Sequence, residues 1–408
     1  MPDEAKIAAV RAALPATGAG IYLNAGSVGP LPAETARAMS EVADRELQVG
    51  RASYADYLDT LDRRAEARAA VAAILSADID TVALTHSTTD GLNIAATGHD
   101  WRPGDRAVTT NREHVGGVAP LLALAESRGV EVELVNVGVG ADEAAILAAF
   151  DRAIDERTRV VSFSHVLWST GAVMPVRAIA DLAHERGAFV LVDGAQAPGA
   201  IAVDVAALGV DAYALSAQKW LLGPEGMGAL WVSPEWNDRI RPTFAGWFGF
   251  DSPGDRPPYR RFADARRHEI GTLHGPSIVG FARSCGWLAM YVGLEWAHSR
   301  AAGLAGRFAD ALAATPRVEL VTPRDRMATL LTSRIEGWPG DRVLEELGRR
   351  TFAIARTVPD SDWVRFSVGF WNTEAELDRV AATMGELAAH TPETMPARPS
   401  LTIVGEGA

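Results

Sequence analysis

The sequence predicts an α/β protein: a mainly parallel, seven-stranded sheet covered by helices, followed by a smaller α+β domain. Three observations predict it. Through the middle of the chain, short apolar runs alternate with Ala/Leu/Glu/Arg-rich stretches of helical length. Several of those runs are apolar on both faces, as strands between two helical layers must be. Beyond residue 276 the alternation gives way to a different order of helices and strands.

The strands are expected at 81–85, 106–109, 131–135, 160–164, 189–192, 212–214 and 228–232, rich in Val, Ile, Phe and Thr. Helices are expected at 118–128, 141–152 and 176–186. Arg128-Gly129 and Arg186-Gly187 each put a cation and then a glycine at a helix end. From 236 to 267, Pro, Gly, Asp, Arg and aromatics crowd together without periodicity, which predicts a long loop region of functional interest. One long helix is expected from Pro276 towards Ala314. Strands at 318–321 and 328–335, a helix at 341–349, strands at 352–356 and 363–367, and a helix at 374–389 follow. The domains are therefore drawn at 18–275 for the large one, 1–17 with 276–390 for the small one, and 391–408 as a peripheral tail.

Composition narrows the function. The chain has 408 residues, 48% hydrophobic and 22% charged, enough for two folded domains sharing one site. A net charge of −13 argues against a general nucleic-acid binder, which needs clustered cations. The single cysteine, Cys285, permits no intrachain disulfide and no cysteine-built metal site, and no metal is expected. The first residues carry no basic segment followed by an apolar run, and stretches such as 69–75 are too short to span a bilayer. A soluble cytoplasmic enzyme, without membrane or nucleic-acid partners, is the expectation.

Four motifs carry chemistry. The run 190–196 ends an apolar strand in Asp193, followed by Gly194-Ala195-Gln196, and ligands of parallel sheets gather at such strand ends. Lys219 follows another apolar strand in Ser216-Ala217-Gln218-Lys219-Trp220, before a glycine-rich stretch; burial suits a lysine to Schiff-base chemistry. Ser87-Thr88-Thr89 opens a helix after a strand, an arrangement that can hold phosphate, although plain N-capping reads the same way. His114, in Asn111-Arg112-Glu113-His114, can stack on a flat ring or be structural.

Taken in order, with Lys219 lying 26 residues after Asp193, these motifs resemble the class V aminotransferase-like family of fold-type I pyridoxal-phosphate enzymes over residues 22–387. That family includes cysteine desulfurases, cysteine/cystine C–S lyases, isopenicillin N epimerase-like proteins and kynureninases. The resemblance implies pyridoxal 5′-phosphate (PLP) bound to Lys219, with Asp193 at the pyridine nitrogen. It further implies Gln196 at the ring hydroxyl, His114 on the ring face, and Thr88, Thr89, Ser216 and Gln218 around the phosphate. Gln218 stands where many members have histidine. Glu269-Ile270-Gly271-Thr272 resembles the segment that reaches the neighbouring subunit's phosphate, so a homodimer is implied, with Thr272 serving the partner's site. Arg365 matches the arginine that clamps an amino-acid substrate's α-carboxylate.

The reaction turns on what else is present. Desulfurases carry a nucleophilic cysteine on a loop shortly before the substrate arginine, and 356–363 contains none. Cys285 reads as a buried, inert thiol. The stretches 22–32 and 164–171 look most like the C–S lyase group and make Asn24 and Trp168 substrate-binding candidates. The implied reaction is β-elimination from cysteine, cystine or a cysteine conjugate, giving pyruvate, ammonia and a thiol or persulfide. An epimerase, a desulfurase-like enzyme lacking the loop cysteine, and a non-catalytic PLP-binding regulator are the alternatives. Phe244, Trp247, Phe248, Phe250 and Tyr259 shape either the pocket or a dimer interface, and Arg260, Arg261, Arg266 and Arg267 form either a second anion site or a solvated loop.

Overall fold

The computed structural model describes residues 3–251 and 257–396. Helix α1 (Asp3–Ala13), strand β1 (Ile21–Tyr22) and helices α2 (Ala33–Val49) and α3 (Tyr54–Leu75) open the chain. These helices lie outside the elements expected from the sequence. The alternating region is β2 (Val82–Thr85), α4 (Thr88–Thr97), β3 (Arg106–Thr110), α5 (Val115–Arg128), β4 (Glu131–Val135), α6 (Glu143–Ala153), β5 (Thr158–Ser164), α7 (Val176–His184), β6 (Phe189–Asp193), the short α8 (Val205–Leu208), β7 (Ala212–Ser216) and β8 (Gly228–Val232). A short α9 (Pro234–Asn237) follows.

The large sheet has the order β2-β8-β7-β6-β5-β3-β4, with β8 antiparallel to both neighbours and the remaining pairs parallel. Period-two alternation splits its side chains between two layers. Ala107, Val160, Phe189, Leu191, Ala212 and Leu230 face α4 and α5. Val108, Val161, Val190, Val192 and Leu215 face α3, α6 and α7, together with Phe281 and Cys285 of α10 (Gly275–Gly286). Strands β2, β6, β7 and β8 are therefore buried along their whole length, as their near-continuous apolar sequences require, whereas the edge strand β4 leaves Glu131, Glu133 and Leu134 exposed.

The expected single helix from 276 to 314 is two helices. After α10 the backbone widens into a π-helical turn, Trp287–Val292, and Gly293 takes φ +82°. Helix α11 (Leu294–Ala313) leaves at 81°. A wide turn plus a left-handed residue ends the α10 hydrogen-bond ladder and starts a new one. No single described helix is long and apolar enough to cross a membrane.

The second sheet is built from β9 (Val318–Leu320) and β10 (Leu330–Ile335). After α12 (Gly340–Thr351) and the two-residue β11 (Ala353–Ile354) come β12 (Arg356–Thr357), β13 (Val364–Ser367) and α13 (Glu374–Ala388). Its order is β12-β13-β10-β9, antiparallel throughout, over a core of Leu304, Phe308, Leu331, Phe366, Leu377 and Met384. Strand β1 pairs with β11, and Asn24 bridges Ser367. The segment from 21 to 27 is thereby held against the second sheet. Of the expected tail, Met395 packs on the second core, and 397–408 lie outside the described residues.

Candidate active site

A cavity of about 250 Å³ opens where the carboxyl ends of the parallel strands meet the 26–27 segment and the β12–β13 hairpin. Its wall includes Thr88, Thr89, His114, Trp168, Asp193, Gln196, Ser216, Gln218, Lys219 and Arg365. Two sequence candidates lie off this wall. Asn24 is two residues from Gly26, which does line the cavity, and its own Oδ1 is buried without a partner. Thr272 is exposed on the surface of this chain.

One end is built for an anion. Ser87 caps α4, its Oγ accepting from the Asp90 amide at 3.1 Å. A helix N-terminus carries partial positive charge and free amides. The hydroxyls of Thr88 and Ser216 are buried with no protein partner, so both retain hydrogen-bonding capacity towards an occupant. Two glycines keep this end open. A Cβ on Gly228 would stand 2.8 Å from Ser87 Cα and 2.6 Å from the Leu215 carbonyl, and one on Gly116 would meet the Thr89 hydroxyl at 2.5 Å.

Beyond that end sit a base and an acid of opposite charge. Asp193 closes β6 near the middle of the sheet, 7% exposed, and its Oδ1 accepts from the Ala195 amide at 2.8 Å. Burial raises its pKa, while Lys219, the Ala195 amide and His114 pull it down. Lys219 opens into the cavity but is otherwise packed in protein, and burial lowers its pKa to about 8 against the opposing pull of Asp193. The charges of Arg365 and Arg356 act in the same direction as burial.

Flat and directional contacts complete the wall. His114 caps α5, with Nδ1 accepting from the Gly116 amide at 3.1 Å, and its ring meets Trp168 edge-on at 5.4 Å. Burial and the neighbouring Lys219 charge hold its pKa below the usual histidine range. Gln196 is fixed at both ends of its amide: Nε2 donates to the Gly26 carbonyl at 2.9 Å and Oε1 accepts from Trp220 Nε1 at 2.8 Å.

The other end is cationic. Arg365 is 1% exposed, donates to the Trp168 carbonyl at 2.9 Å and the Ser27 hydroxyl at 3.1 Å, and keeps Nε buried and unpartnered. Burial, then the charge of Arg356, lowers its pKa to about 9. Arg356 also lines the cavity and donates to Ser27 Oγ at 3.3 Å. The two arginines are cross-strand partners in the β12–β13 pair. Like charges opposite one another repel, so this end favours an anionic occupant.

Sequence reasoning missed Arg356, Ser27 and Ser164 on this wall. Arg356 was recoverable from the hairpin that its own strand forms with that of Arg365. Arg260, Arg261, Arg266 and Arg267 of the 236–267 region, read as either a second anion site or a solvated loop, are not brought to the cavity. Arg266 and Arg267 pair with Asp264 and Asp238, and neither they nor Arg260 and Arg261 line the wall. The aromatics of that region do not line it either: Phe248 is buried under Arg64, and Trp247 stacks on Tyr57. Cys285 is buried in α10, burial pushing its thiol up to about 12, and it too lies off the wall.

A lysine facing a strand-end carboxylate, with unpartnered hydroxyls and a capped helix at one end and a histidine ring beside them, fits PLP. The fold and cavity define a PLP-dependent enzyme of fold type I. The chain belongs to the aminotransferase class-V family, whose profile matches residues 21–380. It is 28% identical over 386 residues to a probable cysteine desulfurase of Methanothermobacter thermautotrophicus, covering 90% of this chain and 94% of that one. It is 30% identical over 396 residues to the isopenicillin N epimerase of Amycolatopsis lactamdurans, with the same coverage. Among solved structures, the cystine C–S lyase C-DES in complex with its product cysteine persulfide superposes with a TM-score of 0.86 at 26% identity, covering 91% of this chain and 99% of that one. A lysine mutant of C-DES with glycine covalently linked to its PLP cofactor superposes with the same TM-score at 25% identity, covering 92% and 98%.

Proposed function

We propose that this enzyme is a C–S lyase, performing β-elimination on cysteine, cystine or a related cysteine conjugate to release pyruvate, ammonia and a thiol or persulfide. One observation carries the reading: the cavity joins a low-pKa lysine to a pair of arginines, while the chain's only thiol is buried elsewhere. A reaction that needs no enzyme thiol fits that wall.

In this reading Lys219, Thr88, Thr89, Ser216 and Gln218 hold PLP, with Asp193 at its nitrogen, Gln196 at its hydroxyl and His114 on its face. The bound cofactor supplies an electron sink for the pair left on Cα when the proton departs. Arg365 binds the substrate α-carboxylate, and fixing that group orients the Cα–H bond. Lys219, with a pKa of about 8, accepts the Cα proton near neutral pH. The Cβ–S bond breaks with its electron pair on sulfur. For cystine this releases cysteine persulfide, and water completes the formation of pyruvate and ammonia. Arg356 takes the far carboxylate of cystine, and Trp168 and Asn24 border the substrate. The proposal includes a homodimer, in which Thr272 serves the neighbouring site, and a cytoplasmic setting, in keeping with a chain that has one cysteine.

The test is to incubate purified protein with cystine, cysteine and cysteine conjugates, measuring pyruvate and reduced sulfur, with Lys219→Ala as control. Pyruvate in step with sulfur release supports the lyase. Cα deuterium exchange with inversion and no pyruvate would instead support epimerisation, and a Lys219→Ala protein that kept the lysine-linked cofactor absorbance would remove the anchor assignment.

A further inference from the structure

Beside Asp193 the wall rests on a carboxyl group outside the proposed machinery. Glu113, immediately before His114, reaches back over the strand ends. Its Oε1 accepts from the Thr110 hydroxyl at 2.6 Å, and its Oε2 makes a short hydrogen bond with Ser164 Oγ. Thr110 ends β3, and Ser164 ends β5 directly opposite Asp193 in the sheet register. Ser164 lines the cavity. In the first bond the Thr110 hydroxyl, whose oxygen also accepts from the Arg112 amide at 3.2 Å, donates to Glu113.

The second bond has two possible directions with different consequences for the cavity. A carboxylate at Glu113 would consume the Ser164 proton. A neutral acid donates to Ser164 Oγ and frees the Ser164 proton to point at the cavity's occupant. A second ionised carboxyl beside buried Asp193 is disfavoured by like-charge repulsion. We propose that Glu113 is a positioning residue that holds a proton on Ser164, making Ser164 a hydrogen-bond donor to the bound cofactor while Asp193 alone carries negative charge. Electrostatics agree in direction: burial raises the Glu113 pKa to about 7, opposed by the Ser164 and Thr110 hydroxyls and the Ser164 backbone and reinforced by Asp193.

The inference rests on PLP occupying this cavity, and its primary readout needs no cofactor. In the apo-protein at pH 6, the infrared difference between parent and Glu113→Gln should contain the C=O stretch of a neutral, buried carboxylic acid, fading by pH 8. Glutamine reproduces the neutral acid, donating to Ser164 and accepting from Thr110. Glu113→Gln should therefore keep PLP affinity within about threefold, whereas Glu113→Ala and Ser164→Ala each lose roughly tenfold, the worth of one hydrogen bond. The double mutant should lose no more than either alone, since both remove the same donor. Absence of the acid band at pH 6, or a Glu113→Gln loss as large as that of Glu113→Ala, overturns the proposal. If Glu113→Ala fails to fold, the infrared band and Glu113→Gln decide it. Failure of the cofactor seat itself would appear separately, as lysine-linked absorbance surviving in Lys219→Ala.

Discussion

Lys219 illustrates how one buried charge sets both chemistry and stability. Its folded pKa of about 8 lies below the 10.5 of a free lysine, chiefly through burial. Between those values the unfolded chain binds more protons than the folded one, so its contribution to stability rises with pH across that window. Below pH 8 the folded protein carries the whole cost of a buried ammonium. Apo Lys219→Met should therefore melt a few degrees above the parent at pH 7, with the gap closing as pH approaches 10.5; an unchanging gap in calorimetry would mean the ammonium is well solvated. Arg356 makes a complementary case. Facing Arg365 across a strand pair, it costs the apo-protein like-charge repulsion of about 0.2–1 kcal/mol. Arg356→Gln should stabilise the apo-protein by that amount yet raise KM for cystine about tenfold more than for cysteine, as loss of a charge-assisted hydrogen bond predicts. Equal KM changes for the two substrates would dissociate Arg356 from a far carboxylate. At this scale the sequence was legible where chemistry is tied to a motif, as at Asp193, Lys219 and His114. It was silent on Arg356, Ser27 and Ser164, whose proximity arises from strand pairing across long separations.

The elements of the large sheet were legible because their physics is local. Apolar runs of five residues, glycine after a terminal arginine and serine before a helix start each act within a turn of chain, and seven strands stand where such signals put them. The α10–α11 break was hidden, since Gly293 ends one ladder through a backbone angle that periodicity does not report. The helices of the first 75 residues were missed as well; α2 and α3 mix alanine with charge, and their buried stripe is narrow. One element junction governs the site. Strand β8 runs antiparallel between β2 and β7, against the turn that carries Ser87, Thr88 and Thr89, and only a glycine at 228 fits there. The atoms facing a Cβ at 228 are backbone, so Gly228→Ala must shift the turn, an overpacking cost of about 1–3 kcal/mol. The expected outcome is PLP affinity weakened about tenfold or more with far-UV circular dichroism unchanged. Undiminished affinity would show that the Ser87–Thr89 turn does not hold the phosphate.

At the scale of the whole molecule, the proposed homodimer turns on Thr272. It is exposed, off the cavity of its own chain, yet the segment carrying it is held rigidly. Glu269 is 2% exposed; its Oε2 pairs with Arg64 Nη2 at 2.5 Å and its Oε1 with Arg68 at 2.9 Å, while Oε1 also accepts from the Leu84 amide at 3.1 Å. Arg64 in turn donates to the Gly271 carbonyl at 3.2 Å. A buried carboxylate satisfied this fully fixes residues 269–271 to α3 and β2 and presents Thr272 outward. Nearby apolar side chains are exposed: Leu47 at the end of α2 by 84%, Tyr54 at the start of α3 by 75% and Trp247 by 49%, with Tyr54, Tyr57 and Trp247 in ring contact. Exposed aromatics beside a rigid outward loop are what an interface between copies would bury. The decisive measurement is complementation. Thr272→Asp puts a negative charge where the partner's phosphate would sit, and Lys219→Ala removes the anchor, so each homodimer should lack lysine-linked cofactor absorbance. Mixed dimers have one site with an intact lysine and the neighbour's intact threonine. Unfolding and refolding an equal mixture should restore absorbance in roughly one site in four by random pairing. No recovery in a mixture that elutes as a dimer would confine Thr272 to its own chain, and elution of the parent at the 43.4 kDa of a single chain would remove the shared site altogether.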